Sequence, residues 1–168
     1  MTNSSRLFVI LRAVFYAVGF VLLWWWLAVL IRPFDAQLAF TIPAWARPLG
    51  WALVPVGALV TFWCVSTFVA RGRGTPAPFD PPREFVAVGP YRYVRNPMYI
   101  GGSLVILGAG LVLQSPSIVG LAVLFLVFFH LFVLLYEEPT LESRFGGPYV
   151  QYKSVVHRWL PRPPRFNA

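Results

Sequence analysis

Four long apolar runs dominate this sequence and limit the folds that are open to it. They extend from Leu7 to Ile31, from about Leu49 to Ala70, from Tyr99 to Leu113, and from Ser117 to Tyr136. A helix needs about 20 predominantly apolar residues to cross the hydrocarbon core of a bilayer. Only 12% of the residues are charged, against about 25% in an ordinary soluble domain. The runs predict an all-α, polytopic membrane protein with about four transmembrane helices.

The last two runs are predicted to form a tight hairpin, because only Gln114–Pro116 separates them. The third run is short for a spanning helix. Asn96 followed by Pro97 is a typical helix start, with an N-cap residue and then a proline at the first helical position. A helix that begins at Pro97 has about 17 residues, which is near the lower limit for a span. After the fourth run we expect a cytoplasmic C-terminal helical segment.

The distribution of basic residues predicts the orientation. Of the 14 Lys and Arg residues, only Arg32 and Arg47 lie in the first loop, and the other 12 flank the helices on the opposite side. The positive-inside rule then places both termini and the second loop in the cytoplasm. That loop includes Arg71–Pro82, which is rich in glycine and proline. We therefore expect a multi-pass integral membrane protein, in a bacterial inner (plasma) membrane.

Composition also bears on whether the protein binds nucleic acid or a metal ion. The net charge is +8, but the arginines flank apolar runs, so contact with anionic membrane lipids explains the charge better than a nucleic-acid partner does. The single cysteine, Cys64, and two histidines form no cluster with metal-ligand spacing, so no metal site is expected. Gly101 and Gly108 share one helical face, which suits close helix packing or the approach of a ligand to the backbone.

Two predicted cytoplasmic segments, Gly89–Gly101 and Glu137–Pro161, hold most of the unusual residues. The hairpin brings them to one membrane face. Free N–H groups at the helix start, together with Arg92 and Arg95, suit a small anion such as a carboxylate or phosphate. Flat faces for an adenine or a cation come from three tyrosines: Tyr91, Tyr93 and Tyr99. The same residues also suit an interfacial belt, so both interpretations stay open.

Glu137 and Glu138 are adjacent at the predicted end of the fourth helix. Carboxylates at the C-terminal end of a helix oppose its dipole, and desolvation there is costly, so a compensating cation is expected. Arg95, Arg92 or a cationic ligand would each serve.

The two segments together resemble the signature of the isoprenylcysteine carboxyl methyltransferase family, which is related to phospholipid methyltransferases. The resemblance covers about residues 85–162 and divides the chain into residues 1–84, a two-helix membrane region with a cytoplasmic loop, and residues 85–168, a cofactor-binding methyltransferase core. It rests on the whole of Gly89–Gly101 and, in the second segment, on Glu137, Glu138, Leu141, Phe145, Gly146, Tyr149, Tyr152, Val156, Arg158 and Pro161. No glycine-rich Rossmann fingerprint is present.

The resemblance implies a site for S-adenosylmethionine built from the hairpin and the C-terminal segment. Carried over by position, Arg158 would close the pocket or face the acceptor, and the predicted catalytic residues are Glu138, Arg158 and Arg92. The residues that would bind the cofactor or close its pocket are Tyr93, Arg95, Asn96, Pro97, Tyr99, Gly101, Glu137, Glu138, Leu141, Tyr149 and Tyr152. Many family members have His where this chain has Asn96, and an amide does not titrate near pH 7.

The expected function is therefore an S-adenosylmethionine-dependent methyltransferase acting on a lipid-like or prenylated acceptor at the cytoplasmic face. A carboxylate acceptor needs no general base, whereas an amine or hydroxyl would need one, for which Glu138 is the candidate. Arg158 or Arg92 would hold an anionic acceptor. The alternatives are an NADPH-dependent membrane reductase of the sterol-reductase type and a non-catalytic membrane subunit.

Overall fold

The computed structural model describes residues 3–72 and 85–163, and within them it contains helices and no strand. The all-α prediction is thereby confirmed. Short 3-10 turns lie at Arg32–Gln37, Ala44–Ala46 and Gly89–Arg92, and π-helical turns at Phe68–Gly72 and Val133–Glu137. The α-helices are α1 (Asn3–Ile31), α2 (Arg47–Thr67), α3 (Pro97–Val112), α4 (Pro116–Phe132), α5 (Glu138–Phe145) and α6 (Gly147–Val155).

Three described stretches are long and apolar enough to cross a membrane: Ile10–Gln37, Ala44–Ala70 and Pro116–Phe145. The shorter α3 is also apolar, and its 16 residues give a length of about 24 Å. Three of the four predicted spans thus correspond to helical stretches of sufficient length and hydropathy, and a fourth span at α3 stays a prediction. From residue 73 onward, the predicted loop at Arg71–Pro82 lies outside the described residues.

Glycines let α2 and α3 approach at backbone distance. A Cβ atom built on Gly57 would lie 2.5 Å from the carbonyl oxygen of Gly101, and one built on Gly108 would lie 2.9 Å from that of Gly50. Small residues allow such contact where two apolar helices meet in lipid. Gly101 and Gly108 therefore serve helix packing, the first of the two roles that their spacing allowed.

The predicted hairpin between α3 and α4 is observed. Gln114 adopts a left-handed conformation with φ of 51°, which reverses the chain. Ser115 then caps α4, because its hydroxyl accepts a hydrogen bond from the Ile118 N–H at 3.3 Å. Asp35, in the first 3-10 turn, adds a second cap by accepting from the Ser117 N–H at 2.8 Å.

The predicted end of the fourth helix at Tyr136 is wrong. The helical path continues through the π-helical turn Val133–Glu137 into α5 and ends at Phe145. Pro139 lacks an N–H group and would clash with a carbonyl one turn earlier in a regular α-helix, and the wider π turn precedes it. The Glu137–Glu138 pair therefore lies inside a continuous helical stretch, so the expected opposition to a helix C-terminal dipole does not arise.

We expect Gly57→Ala to destabilise the protein by about 1–3 kcal/mol, because the new methyl group would overlap the backbone of α3. Gly120→Ala is the matched control, since nothing lies within 4 Å of a Cβ atom built there. Thermal unfolding in detergent would compare the two variants. Equal midpoints would contradict backbone contact between α2 and α3.

Candidate active site

One cleft collects most of the residues that the sequence singles out. It lies between the start of α3, the π-helical turn before α5, and the helices α5 and α6, and it encloses about 820 Å³ when the adjoining solvent space is included. Its lining is mainly aromatic and apolar. The lining residues are Phe68, Phe85, Val86, Tyr91, Arg95, Asn96, Tyr99, Val133, Tyr136, Glu137, Glu138, Thr140, Leu141, Phe145, Tyr149 and Tyr152.

Glu138 is held between two guanidinium groups. Its Oε1 lies 3.0 Å from Arg95 Nη1, and Arg158 donates to both carboxylate oxygens, from Nε at 2.7 Å and from Nη2 at 2.9 Å. The side chains of Arg95 and Glu138 are only 11% and 12% exposed. The two sequence segments therefore meet at one ion-pair cluster, and Arg95, one of the candidate cations for the glutamate pair, is joined there by Arg158.

Glu137 has a different environment from its neighbour. Tyr99 donates a hydrogen bond from its hydroxyl to Glu137 Oε2 at 2.8 Å, and the Tyr99 ring stacks on Phe129 with the ring centroids 4.2 Å apart. In the described part of the chain no cation pairs with Glu137. Among residues 3–72 and 85–163, the cleft therefore contains a carboxylate whose charge is not balanced by a direct ion pair.

Arg95 has an unused hydrogen-bond donor. Its Nε atom is buried and has no acceptor among residues 3–72 and 85–163. An unsatisfied buried donor on a charged group is costly, and so is a carboxylate without a counter-ion. A ligand that carries both a carboxylate and a positive charge would satisfy both groups, Arg95 with its anionic end and Glu137 with its cationic part.

The segment after α6 runs across the start of α3. The Arg95 N–H donates to the His157 carbonyl at 2.9 Å, and the Arg162 N–H donates to the Tyr93 carbonyl at 3.0 Å. Asn96 is at the N-cap position of α3, as predicted, but its side chain makes no capping hydrogen bond. Its Nδ2 instead donates to the Arg158 carbonyl at 3.1 Å, because the long-range acceptor lies within its reach.

Two tyrosines of α6 form the wall opposite α3. Tyr152 donates from its hydroxyl to the Tyr91 carbonyl at 2.7 Å, and Phe85 packs edge-on against Tyr149 and Tyr152. Burial, together with the Glu138 charge, raises the pKa of Tyr149 to about 12. Hydrogen bonds to Glu138 raise the pKa of Arg158 above its usual value. At neutral pH Tyr149 is therefore uncharged and Arg158 is cationic.

The structure brings together eight of the eleven predicted cofactor-binding residues along the cleft. Tyr93, Pro97 and Gly101 are not among its lining residues. Gly101 faces Thr61 of α2, Pro97 begins α3, and the side chain of Tyr93 is 42% exposed. Arg158 reaches the cleft through Glu138, and Arg92 ends the 3-10 turn that precedes α3.

The sequence alone did not identify several apolar walls of the cleft. Phe68 and Val133 lie in apolar runs, where a residue that faces a ligand looks the same as one that faces lipid. The other lining residues that were not predicted are Phe85, Val86, Tyr136, Thr140 and Phe145. Of these residues, only Phe145 could have been found from the sequence, because it belongs to the family signature.

Comparison with known proteins identifies the family. A family model described as phospholipid methyltransferase matches residues 45–147, which include α2 to α5 and all of the cleft except the two α6 tyrosines. No curated protein and no solved structure matches the chain. The match covers more than half of the chain and agrees with the resemblance of its two polar segments to membrane methyltransferases. The chain therefore belongs to the phospholipid methyltransferase family and is a membrane methyltransferase for lipid-like substrates.

Proposed function

We propose that the protein transfers a methyl group from S-adenosylmethionine to a carboxylate of a lipid-like or prenylated acceptor, in the manner of isoprenylcysteine carboxyl methyltransferases, at the cytoplasmic membrane face. One observation carries the choice of cofactor. In the described part of this methyltransferase-family chain, the Arg95 Nε–H has no acceptor and the Glu137 carboxylate, which lines the same cleft, has no ion-pair partner.

S-adenosylmethionine, when bound, supplies an electrophilic methyl group on a positively charged sulfur. It also carries a carboxylate, which suits Arg95 Nε as a charge-assisted partner. Glu137 offsets the positive charge of the ligand, and Tyr99 holds the Glu137 carboxylate in place by its hydrogen bond. The aromatic walls, including Phe85 and Tyr149, suit the flat adenine ring.

The acceptor is proposed to be a carboxylate because Glu138 is tied up in ion pairs and the Glu137 carboxylate is assigned to the positive charge of the cofactor. Two guanidinium groups stabilise the ionised form of Glu138, and a base held in that form accepts a proton weakly. A carboxylate nucleophile needs no deprotonation near neutral pH. Methyl transfer to it neutralises opposite charges, which an apolar site favours, and orientation of the two reactants contributes up to about 7–11 kcal/mol.

Arg158 is the proposed partner of the anionic acceptor. Its Nε and Nη2 atoms bind Glu138, which leaves Nη1 for a second carboxylate, and its side chain is 27% exposed. Arg92, near the start of α3, is the second candidate. Tyr136 lines the cleft and is 48% exposed on a stretch that is long and apolar enough to span a membrane, so an apolar tail can stay in the bilayer while the head group reaches the site.

The first prediction concerns the ion-pair cluster. Purified protein is expected to bind S-adenosylmethionine with micromolar affinity and not to bind NADPH. Glu138→Gln should abolish this binding, and Arg95→Lys, which keeps the charge but lacks Nε, should weaken it by about ten-fold or more. Glu142→Gln is the control, because it changes a glutamate of the same helix that pairs with Lys153 outside the cleft.

Isothermal titration would measure these affinities, and thermal unfolding would establish that each variant is folded. Folded Glu138→Gln and Arg95→Lys proteins with wild-type affinity would contradict the site. Binding of NADPH in place of S-adenosylmethionine would identify a reductase instead.

The second prediction separates the charge of Glu137 from its shape. Glu137→Gln keeps an oxygen that accepts from Tyr99 and removes the negative charge. We expect it to weaken the binding of S-adenosylmethionine by about ten-fold more than that of S-adenosylhomocysteine, whose sulfur is neutral. Equal weakening of the two ligands, measured by titration, would show that Glu137 does not offset the charge on sulfur.

The third prediction identifies the accepting atom. Membranes that contain the protein, supplied with S-adenosylmethionine labelled in its methyl group, should form a labelled lipid from which mild alkali releases volatile methanol. A methyl ester behaves in this way, whereas an N-methyl group does not. Label that stays with the lipid after alkali would contradict a carboxylate acceptor. Lipidomics of cells with and without the protein should reveal the same product as a mass increase of one methylene.

A further inference from the structure

The chain after α6 forms a non-helical segment with several bends, residues 156–162, which we call the C-terminal strap. The whole strap lies beyond residue 147, where the family match ends. Besides its two backbone hydrogen bonds to the segment before α3, the strap has two side-chain anchors. One is the bond from Asn96 to the Arg158 carbonyl, and the other joins Trp159 to His130 of α4, where the indole Nε1 donates to Nδ1 at 2.9 Å.

The Trp159 anchor lies far from Glu138 along the helical path that contains both His130 and Glu138. His130 precedes Glu138 by eight residues on one helical path, which corresponds to about 12 Å. The two rings are tilted by 40° with their centroids 5.9 Å apart, so the contact is a hydrogen bond and not a stack. An indole N–H in apolar surroundings is costly without an acceptor, and this bond therefore favours a docked strap.

Arg158 carries one of these anchors and precedes the other, and on its N-terminal side the His157 carbonyl accepts from the Arg95 N–H. Its own carbonyl is bound by Asn96, and the next residue in the chain is bound by His130. Its side chain then makes the paired contact with Glu138. A free arginine side chain loses about 2 kcal/mol of rotamer entropy when it is fixed. If the backbone of Arg158 were also mobile, ordering it would cost additional entropy. The anchors on both sides of Arg158 avoid that additional cost.

We propose that Trp159, His130 and Asn96 are positioning residues that hold Arg158 against Glu138 and so complete the cleft. Trp159 and His130 do not line the cleft, so they act through Arg158. Asn96 stands where the family resemblance expects a histidine, and its amide donates to the Arg158 carbonyl at any pH. The proposal rests on the proposed function only where its test uses S-adenosylmethionine.

The first arm of the test needs no ligand. A nitroxide label on Leu160→Cys would report the motion of the strap, because Leu160 is 67% exposed and the native Cys64 is fully buried. Trp159→Phe keeps an aromatic ring and removes the N–H donor. It is expected to increase the mobile component of the electron paramagnetic resonance spectrum, whereas Trp25→Phe, at an exposed position of α1, should not.

His130 provides a conservative rescue. His130→Leu removes the acceptor and should mobilise the label as Trp159→Phe does. His130→Gln offers an amide oxygen to the indole N–H and should restore the immobile spectrum. A label that stays equally immobile in Trp159→Phe and His130→Leu would overturn the proposal.

The second arm measures S-adenosylmethionine affinity. Trp159→Phe should raise the dissociation constant about three- to ten-fold in the wild-type background. In an Arg158→Met background it should leave the dissociation constant unchanged, because the effects of two substitutions that act through the same group do not add. The same fold-change in both backgrounds would mean that Trp159 does not act through Arg158. Wild-type protein that binds no S-adenosylmethionine would contradict the proposed function, and the spin label would still decide the role of the strap.

Discussion

The ion pairs of Glu138 connect three parts of the chain that are distant in sequence. Arg95 comes from the segment before α3, Glu138 begins α5, and Arg158 follows α6. Removing one partner of a buried charged cluster leaves an uncompensated charge, which costs about 3–5 kcal/mol. The position of the cleft therefore depends on this cluster, since its walls belong to the elements that the cluster joins.

The helices below the cleft supply the rigid base on which that cluster is built. The backbones of α2 and α3 touch at glycines, so the start of α3, which bears Asn96 and Tyr99, has little freedom to shift. Phe129 of α4 stacks on Tyr99 and packs in turn against Phe20 and Trp24 of α1. The hydrogen bond from Tyr99 to Glu137 is thus supported by all four long helices.

The sequence predicted the helical class, the hairpin and the meeting of its two polar segments, because long apolar runs and short connections leave few arrangements in a bilayer. It also directed attention to Arg95, Glu137 and Glu138, where charge stands out from an apolar background. It did not predict the continuation of α4 into α5, since Pro139 after a glutamate pair looks like a helix end and the intervening π turn has no simple pattern. The hydrogen bond between Asn96 and Arg158 could not be predicted either, because it joins residues 62 positions apart by a contact that only the folded chain defines.

Asp35 gives α1 an importance that its exposed surface does not suggest. Most large side chains of α1 face outward, yet the 3-10 turn that follows it delivers a carboxylate to the first turn of α4. The helix therefore has to cover a fixed distance, from its contacts with Phe125 and Phe129 to that cap. Its lipid-facing side chains are interchangeable among apolar types, but its length is not, because one inserted residue would rotate Asp35 by about 100° around the helix axis and shift it by about 1.5 Å along it.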